Sequence, residues 1–151
     1  MRKILLLGSL MTICTAMSCD RDDYYVRFDE KEFNNERMLW EKANNLNYSF
    51  HYSYTSSTEP IDIDVVVENG IQVNEAETPG SYTIDDIYKM IENDFTYANT
   101  RDTNGLYGVS INVKYNKEYH YPEEIKYSVS FKGDVVGGGG YDAVISNFKM
   151  N

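Results

Sequence analysis

Tyr48-Ser49-Phe50-His51-Tyr52-Ser53-Tyr54 and Ile61-Asp62-Ile63-Asp64-Val65-Val66-Val67, separated by Thr55 to Pro60, decide the fold. In the first segment aromatic rings alternate with Ser and His at a strict period of two, and in the second Ile61, Ile63, Val65 and Val67 alternate with Asp62 and Asp64. A period of two puts one set of side chains on each face of a strand. Setting Tyr54 opposite Ile61 matches Tyr52 to Ile63, Phe50 to Val65 and Tyr48 to Val67, so the two segments predict an antiparallel pair with one apolar face. For the Glu68-Asn69-Gly70 link, a two-residue Asn-Gly loop sets Val67 opposite Gln72 and splits that face. A three-residue loop with Gly70 as a left-handed bulge sets Val67 opposite Ile71 and Val65 opposite Val73, and is the loop expected here.

Working outward, Phe33, Trp40, Ala43 and Leu46 recur at helical spacing with Glu36, Arg37, Glu41 and Lys42 between them, which predicts an amphipathic helix over 33–46. Thr83 reads as the N-cap of a second helix, with Asp86 reaching back to it and Ile84, Ile87, Tyr88, Ile91 and Phe95 as the inner stripe. Alternating runs at Val109 to Tyr115 and Ile125 to Phe131, with Ala143 to Phe148, predict three more strands. The expected class is α+β: an antiparallel sheet with two helices on one face, in the order αβββαβββ, an order compatible with duplication of one αβββ unit.

The N-terminus carries an address. Arg2 and Lys3 precede the apolar run Ile4 to Met17, and the small residue Ser18 stands before Cys19. This pattern reads as an export signal, too short for a permanent span. Ala16-Met17-Ser18-Cys19 resembles the bacterial lipobox, which implies cleavage before Cys19 and acylation of that cysteine, as with palmitate. The expected organisation is a signal peptide over 1–18, a lipidated cysteine and acidic tether over 19–32, and one globular domain over 33–151. That domain is expected at a bacterial cell envelope, held at the outer membrane by its lipid and either periplasmic or surface-exposed. The Asp20-Arg21-Asp22-Asp23 run resembles both a surface-display signal and an inner-membrane retention signal, so the leaflet stays open.

Cleavage at that point removes Arg2 and Lys3 and no acid, moving the formal charge from −10 to −12. Phosphate backbones are held by clustered Lys and Arg, so a nucleic-acid partner is not expected. Anionic headgroups repel such a chain, which leaves membrane attachment to the acyl groups. Cys14 lies inside the apolar run and leaves with it, so no cysteine pair remains for a disulfide. Fourteen tyrosines against six phenylalanines and one tryptophan suit half-buried strands and contact surfaces alike.

Trp40 before Tyr48-Ser49-Phe50, then Val65-Val66-Val67-Glu68-Asn69-Gly70, Thr83-Ile84-Asp85-Asp86, Tyr119-His120-Tyr121-Pro122 and Ser146-Asn147-Phe148, occur in this order across about residues 36 to 149. The pattern resembles a bacterial domain of unknown function found in short secreted lipoproteins. Many members carry a cysteine pair soon after the Tyr-x-Phe strand, where this chain has Thr55, Ser56 and Ser57, and that departure removes a disulfide or redox role. The resemblance implies fold and location and brings no activity with it.

The expected register sets His51 opposite Asp64 and Ser53 opposite Asp62 on the polar face. A carboxylate-held imidazole suits a base, and with further carboxylates a metal ligand, which gives the alternative reading of a small envelope hydrolase using His51 and Asp64. An exposed cross-strand ion pair, worth roughly 0–1 kcal/mol, is the reading preferred. Lys114 opposite Glu124 is read the same way, and Trp40 as a core ring. The candidate contact residues are Tyr119, His120 and Tyr121 in an aromatic loop closed by Pro122, with Tyr107 and Tyr141, because tyrosine offers large area at low entropic cost. Gly137 to Gly140 lack the Lys-Ser/Thr of a phosphate loop and read as a flexible connection. The expected function is therefore a lipid-anchored, non-catalytic envelope protein that needs no cofactor or metal and binds a protein or a surface polysaccharide.

Overall fold

The computed structural model describes residues 24–58, 60–74, 80–133 and 139–151. The signal, Cys19 and the acidic run after it lie outside the described residues. The elements are β1 (Tyr25–Arg27), α1 (Glu30–Ala43), β2 (Tyr48–Ser56), β3 (Ile61–Glu68), β4 (Ile71–Gln72), α2 (Ile84–Thr100), β5 (Leu106–Tyr115), β6 (Pro122–Phe131) and β7 (Gly139–Met150). They form a mixed α+β domain of two helices and one seven-stranded sheet, in the order β1-β5-β6-β7-β2-β3-β4.

The β2–β3 register is the expected one, from Tyr48 opposite Val67 to Tyr54 opposite Ile61. The loop after it is not. Val67 pairs with Gln72 and Glu68 with Ile71, a two-residue loop in which Asn69 (φ 54) and Gly70 (φ 77) both take the left-handed conformation that Asn-Gly tolerates. Gly70 N–H donates to the Leu46 carbonyl at 2.8 Å and Asn69 N–H to Asn47 Oδ1 at 2.9 Å, which pins the tight loop. Ile71 and Val73 are consequently left 68% and 51% exposed. The edge that results is closed by Asn74, whose side chain accepts from Val66 N–H and donates to the Asp64 carbonyl, standing in for a further strand.

The purely antiparallel sheet is corrected by β1, which runs parallel to β5 from Tyr25 opposite Gly108 to Arg27 opposite Ser110. Residues assigned to the tether thus belong to the sheet, and Phe28 packs on Phe33 and Phe95 with centroids 5.3 and 4.8 Å away. A glycine is required at position 108 because a Cβ there would lie 2.5 Å from the Tyr25 carbonyl oxygen. The order becomes β followed by αβββαβββ, and the two halves are not copies. Each ends in a strand, yet β4 is two residues at an edge while β7 is twelve residues at the centre, flanked by β6 and β2.

Helix α1 begins three residues earlier than expected because Asp29 accepts from Glu32 N–H at 2.8 Å, and it ends at the left-handed Asn44 (φ 52), leaving Leu46 outside and 42% exposed. Helix α2 has the expected capping box between Thr83 and Asp86 and runs on to Thr100. Both helices lie on the aromatic face of β2. Trp40 meets Tyr48 edge-on at 5.4 Å, and the Tyr48 hydroxyl accepts from Ile84 N–H at 3.1 Å. Phe33 and Tyr115 flank Tyr88 at 5.7 and 6.3 Å, extending the same core to β5. Gly139 and Gly140, read as part of a flexible connection, open β7, and Gly137 and Gly138 lie outside the described residues.

Candidate functional site

The five aromatic-loop candidates do not form one patch. Tyr107, 45% exposed, stands at the start of β5, while Tyr119 to Tyr121 follow its end, about 26 Å away by strand rise. Tyr121 is buried and stacks on Phe148 at 4.3 Å, and Tyr119 leans on the same ring at 5.3 Å. Tyr141 is half-buried, stacks on Tyr127 at 5.5 Å and donates its hydroxyl to Asp94 of α2. His120 takes a left-handed backbone (φ 62) held on both sides. Its N–H donates to the Asn116 carbonyl at 2.9 Å and its own carbonyl accepts from the Tyr88 hydroxyl at 2.5 Å.

That backbone aims His120 Nδ1 at Glu36 Oε2, 2.7 Å away, and Lys117 Nζ reaches Glu36 Oε1 at 3.2 Å. The Glu36 side chain is only 8% exposed. Burial alone raises its carboxyl, but the bonds from His120 and Lys117 outweigh burial and hold it below the ordinary value, so it is an ionised, satisfied anchor between α1 and the β5–β6 loop. Sequence reasoning read Glu36 as a solvent-facing residue. The signal was present, since Phe33, Glu36 and Trp40 share one helical stripe. Asp94, between Ile91 and Ala98 on the stripe of α2, was missed for the same reason, and burial pushes its carboxyl upward against the opposing Tyr141 bond.

His51 lies as expected on the outer face opposite Asp64, and it is held twice. Nδ1 is 2.9 Å from Asp64 Oδ1 and Nε2 is 2.7 Å from Asp62 Oδ1. The Asp64 bond, opposed by burial and reinforced by Asp62, keeps the imidazole protonated to higher pH than usual. An imidazole donating from both nitrogens has no lone pair for a substrate proton or a metal. Among the described residues no group of three or more His, Cys, Asp or Glu is placed to hold a metal ion. Lys114 reaches Glu124 at 2.7 Å and Glu123 at 3.1 Å on the same open face.

A concavity that combines rings with polar groups lies elsewhere, where α2 leaves the end of the β2–β3 pair uncovered. It measures about 340 Å³, and its walls include Tyr52, Tyr54, Tyr82, Ile61, Ile87 and Met90. Tyr52 and Tyr82 pack at 5.5 Å, and Tyr82 is fixed by its N–H donating to Gln72 Oε1 at 2.9 Å. Ser56, Thr58, Ser81 and Asp86 form the polar side. The Asp86 carboxylate is committed to the helix cap, accepting from the Ser81 and Thr83 hydroxyls at 2.6 Å each. Burial opposes its ionisation, and those bonds with Lys89 more than offset it, holding the group below its ordinary value. The groove thus presents ring faces and hydroxyl groups, with its one carboxylate held by the helix cap.

Residues 32–133 match a family of unknown function, DUF6174, and the chain belongs to that family. The matched segment takes in β2 through β6 and both helices but for the first two residues of α1, and it stops short of the central strand β7. Neither a curated protein nor a solved structure matches the chain.

Proposed function

We propose that this chain is a lipid-anchored cell-envelope protein of bacteria whose domain binds a surface polymer without catalysis, through the aromatic groove between α2 and the β2–β3 pair. The observation that carries the reading is the groove itself: three tyrosine rings and three aliphatic side chains facing a polar side of Ser, Thr and Asp. Its volume lies near the lower end of the roughly 300–1,000 Å³ of small-ligand sites, so it accommodates one unit of a longer chain rather than a large enclosed molecule. Rings with hydroxyl-bearing neighbours suit a glycan, whose units present apolar faces and a hydroxyl rim. The Ala16-Met17-Ser18-Cys19 signature supports anchoring by acyl groups on Cys19, and no helix among the described residues is long and apolar enough to cross a membrane. The hydrolase alternative at His51 and Asp64 lacks support in the geometry, because both ring nitrogens are held by carboxylates.

Affinity electrophoresis through gels containing envelope polysaccharides tests the binding site. Tyr54→Ala and Tyr82→Ala are expected to weaken retardation about tenfold, the factor a 1.4 kcal/mol contact represents, whereas Tyr119→Ala leaves it unchanged. Equal retardation of all three and the wild type removes the groove from the proposal. Mass spectrometry of the native N-terminus checks the anchor separately, with acylated Cys19 as residue one expected and an unmodified thiol as the contrary result.

A further inference from the structure

Strand β1 runs parallel to β5 with Tyr25 opposite Gly108, so the chain enters the sheet at the end where β5 starts. Hydrogen bonds tie that end together. Tyr24 donates its hydroxyl to the Ala98 carbonyl in the last turn of α2 at 2.7 Å, and Lys132 N–H, just past β6, donates to the Gly105 carbonyl at 2.8 Å. Among the described residues, the exposed tyrosines are Tyr25, Tyr97 and Tyr107, at 41%, 55% and 45%. All three surround this entry point. Tyr107 precedes Gly108, and the Tyr25 ring lies across that glycine with its hydroxyl 3.4 Å from Ser130 Oγ. Tyr97 precedes Ala98 on α2 and carries the Arg101 guanidinium 4.9 Å over its ring. Burial raises the Tyr24 hydroxyl, Arg101 opposes the rise and Tyr97 adds to it, which marks these three side chains as neighbours. Arg27 stands over the Tyr25 ring in the same way, at 5.7 Å.

An exposed tyrosine joins a large apolar ring to a hydroxyl, the combination that suits the boundary between lipid tails and water. The arginines over two of the rings add cations whose stems follow the rings while their heads reach lipid phosphate. Asp102, the acid exposed in the α2–β5 loop, is engaged within that loop, accepting from the Asn104 N–H and side-chain amide at 3.0 and 3.2 Å. The length of chain before Tyr24 decides the occupant. With Cys19 acylated, five residues, Cys19 to Asp23, precede Tyr24, and even fully extended they span about 18 Å at most. Strand β5 has ten residues, about 30 Å by strand rise. The anchor therefore confines the ring-bearing end to a distance from the acyl chains well short of the length of the domain. We propose that Tyr25, Tyr97 and Tyr107 form a collar that seats in the headgroup layer of a phospholipid bilayer, so that the domain stands on this end with the β5–β6 loop pointing away. The proposal rests on acylation of Cys19. The net negative charge of the chain opposes anionic lipid, so the contact is with zwitterionic headgroups through the rings.

The test places one nitroxide on the natively acylated protein in phosphatidylcholine vesicles, at Thr103→Cys in the α2–β5 loop or at Glu118→Cys in the β5–β6 loop, both exposed positions. Cys14 leaves with the signal and Cys19 is acylated, so the introduced thiol is the one labelled. Electron paramagnetic resonance compares access to oxygen, which concentrates in lipid, with access to a nickel chelate, which stays in water. The oxygen-to-nickel ratio is expected to be higher at Thr103 than at Glu118, and to fall to the Glu118 value when Tyr97→Ser and Tyr107→Ser are combined. An equal, aqueous ratio at both labels, or a Thr103 ratio that the double variant leaves unchanged, overturns the collar. Spin–spin broadening at Thr103 that survives dilution with lipid overturns it too, by assigning the rings to a second copy. Mass spectrometry of the same sample separates the two readings: an unmodified Cys19 removes the anchor and the collar with it, whereas an acylated chain with an aqueous Thr103 removes the collar alone. Polymer retardation of the double variant should match wild type, because β5 lies four strands from β3 and its groove.

Discussion

The two faces of the sheet each hold a histidine against a carboxylate at nearly the same distance, with opposite consequences. On the covered face His120 meets Glu36 at 2.7 Å, the Glu36 side chain being 8% exposed. On the open face His51 meets Asp62 at 2.7 Å and Asp64 at 2.9 Å, side chains 72% and 86% exposed. Distance does not rank these pairs; desolvation does, because water already solvates the open-face partners while a buried carboxylate that loses its donors has nothing in their place. Truncating one acid on each face separates the effect of desolvation from that of distance. Glu36→Ala is expected to lower unfolding free energy by about 2 kcal/mol in urea titrations, against about 0.5 kcal/mol or less for Asp64→Ala. Equal losses would mean that burial is not what separates the faces.

A smaller effect distinguishes two acids that share the covered face. Asp94 differs from Glu36 in that its donor among the described residues is the neutral Tyr141 hydroxyl, so burial prevails and its carboxyl sits above the ordinary 3.8. A folded-state value above the unfolded one means that the folded protein holds its proton longer, so the wild type is favoured below pH 3.8 and loses that advantage as pH rises through the folded value. Asp94→Asn keeps an acceptor for the Tyr141 hydroxyl and carries no charge. It should therefore be more stable than wild type at neutral pH, with the difference closing on acidification toward pH 3.8. A wild-type advantage at pH 7 would show Asp94 to be favourably ionised there, contrary to this account.

Legibility from sequence follows the same division. Where apolar and polar residues alternate without conflict, as from Tyr48 to Tyr54 and Ile61 to Val67, the register followed to the residue, and it set His51 between the aspartates of β3. The Thr83–Asp86 cap was equally readable because its chemistry is local. Three features were not. The Glu68-Asn69-Gly70 loop was read as if the apolar face had to stay whole, but the backbone preference of Asn-Gly and its bonds to Leu46 and Asn47 prevailed over Ile71 and Val73. The pairing of β7 with β2 joins residues as far apart in sequence as Tyr48 and Met150, which no local pattern encodes. Strand β1, three residues beside an acidic run, is too short for periodicity to register. At the site level, Glu36 and Asp94 escaped because charged residues on an apolar stripe were counted as solvent-facing.

The smallest expected effect carries the clearest sign. The folded-state value of His51 is raised, first by its bond to Asp64, with burial opposing and Asp62 adding to the rise. Its stabilisation is thus fully present below the ordinary 6.5 and is lost as pH climbs through the folded value. Glu36 is shifted the other way, so its contribution is present above the ordinary 4.5 and disappears as pH falls through its lower folded value. The difference between wild type and His51→Gln should therefore shrink from pH 5.5 toward alkaline pH, starting from roughly 0–1 kcal/mol for an exposed pair, and shrink further in salt. The difference between wild type and Glu36→Gln should hold across that range and collapse only in acid. Urea titrations of both variants across pH, showing the two differences moving in parallel, would mean that His51 and Glu36 report the net charge of the whole chain rather than their two environments.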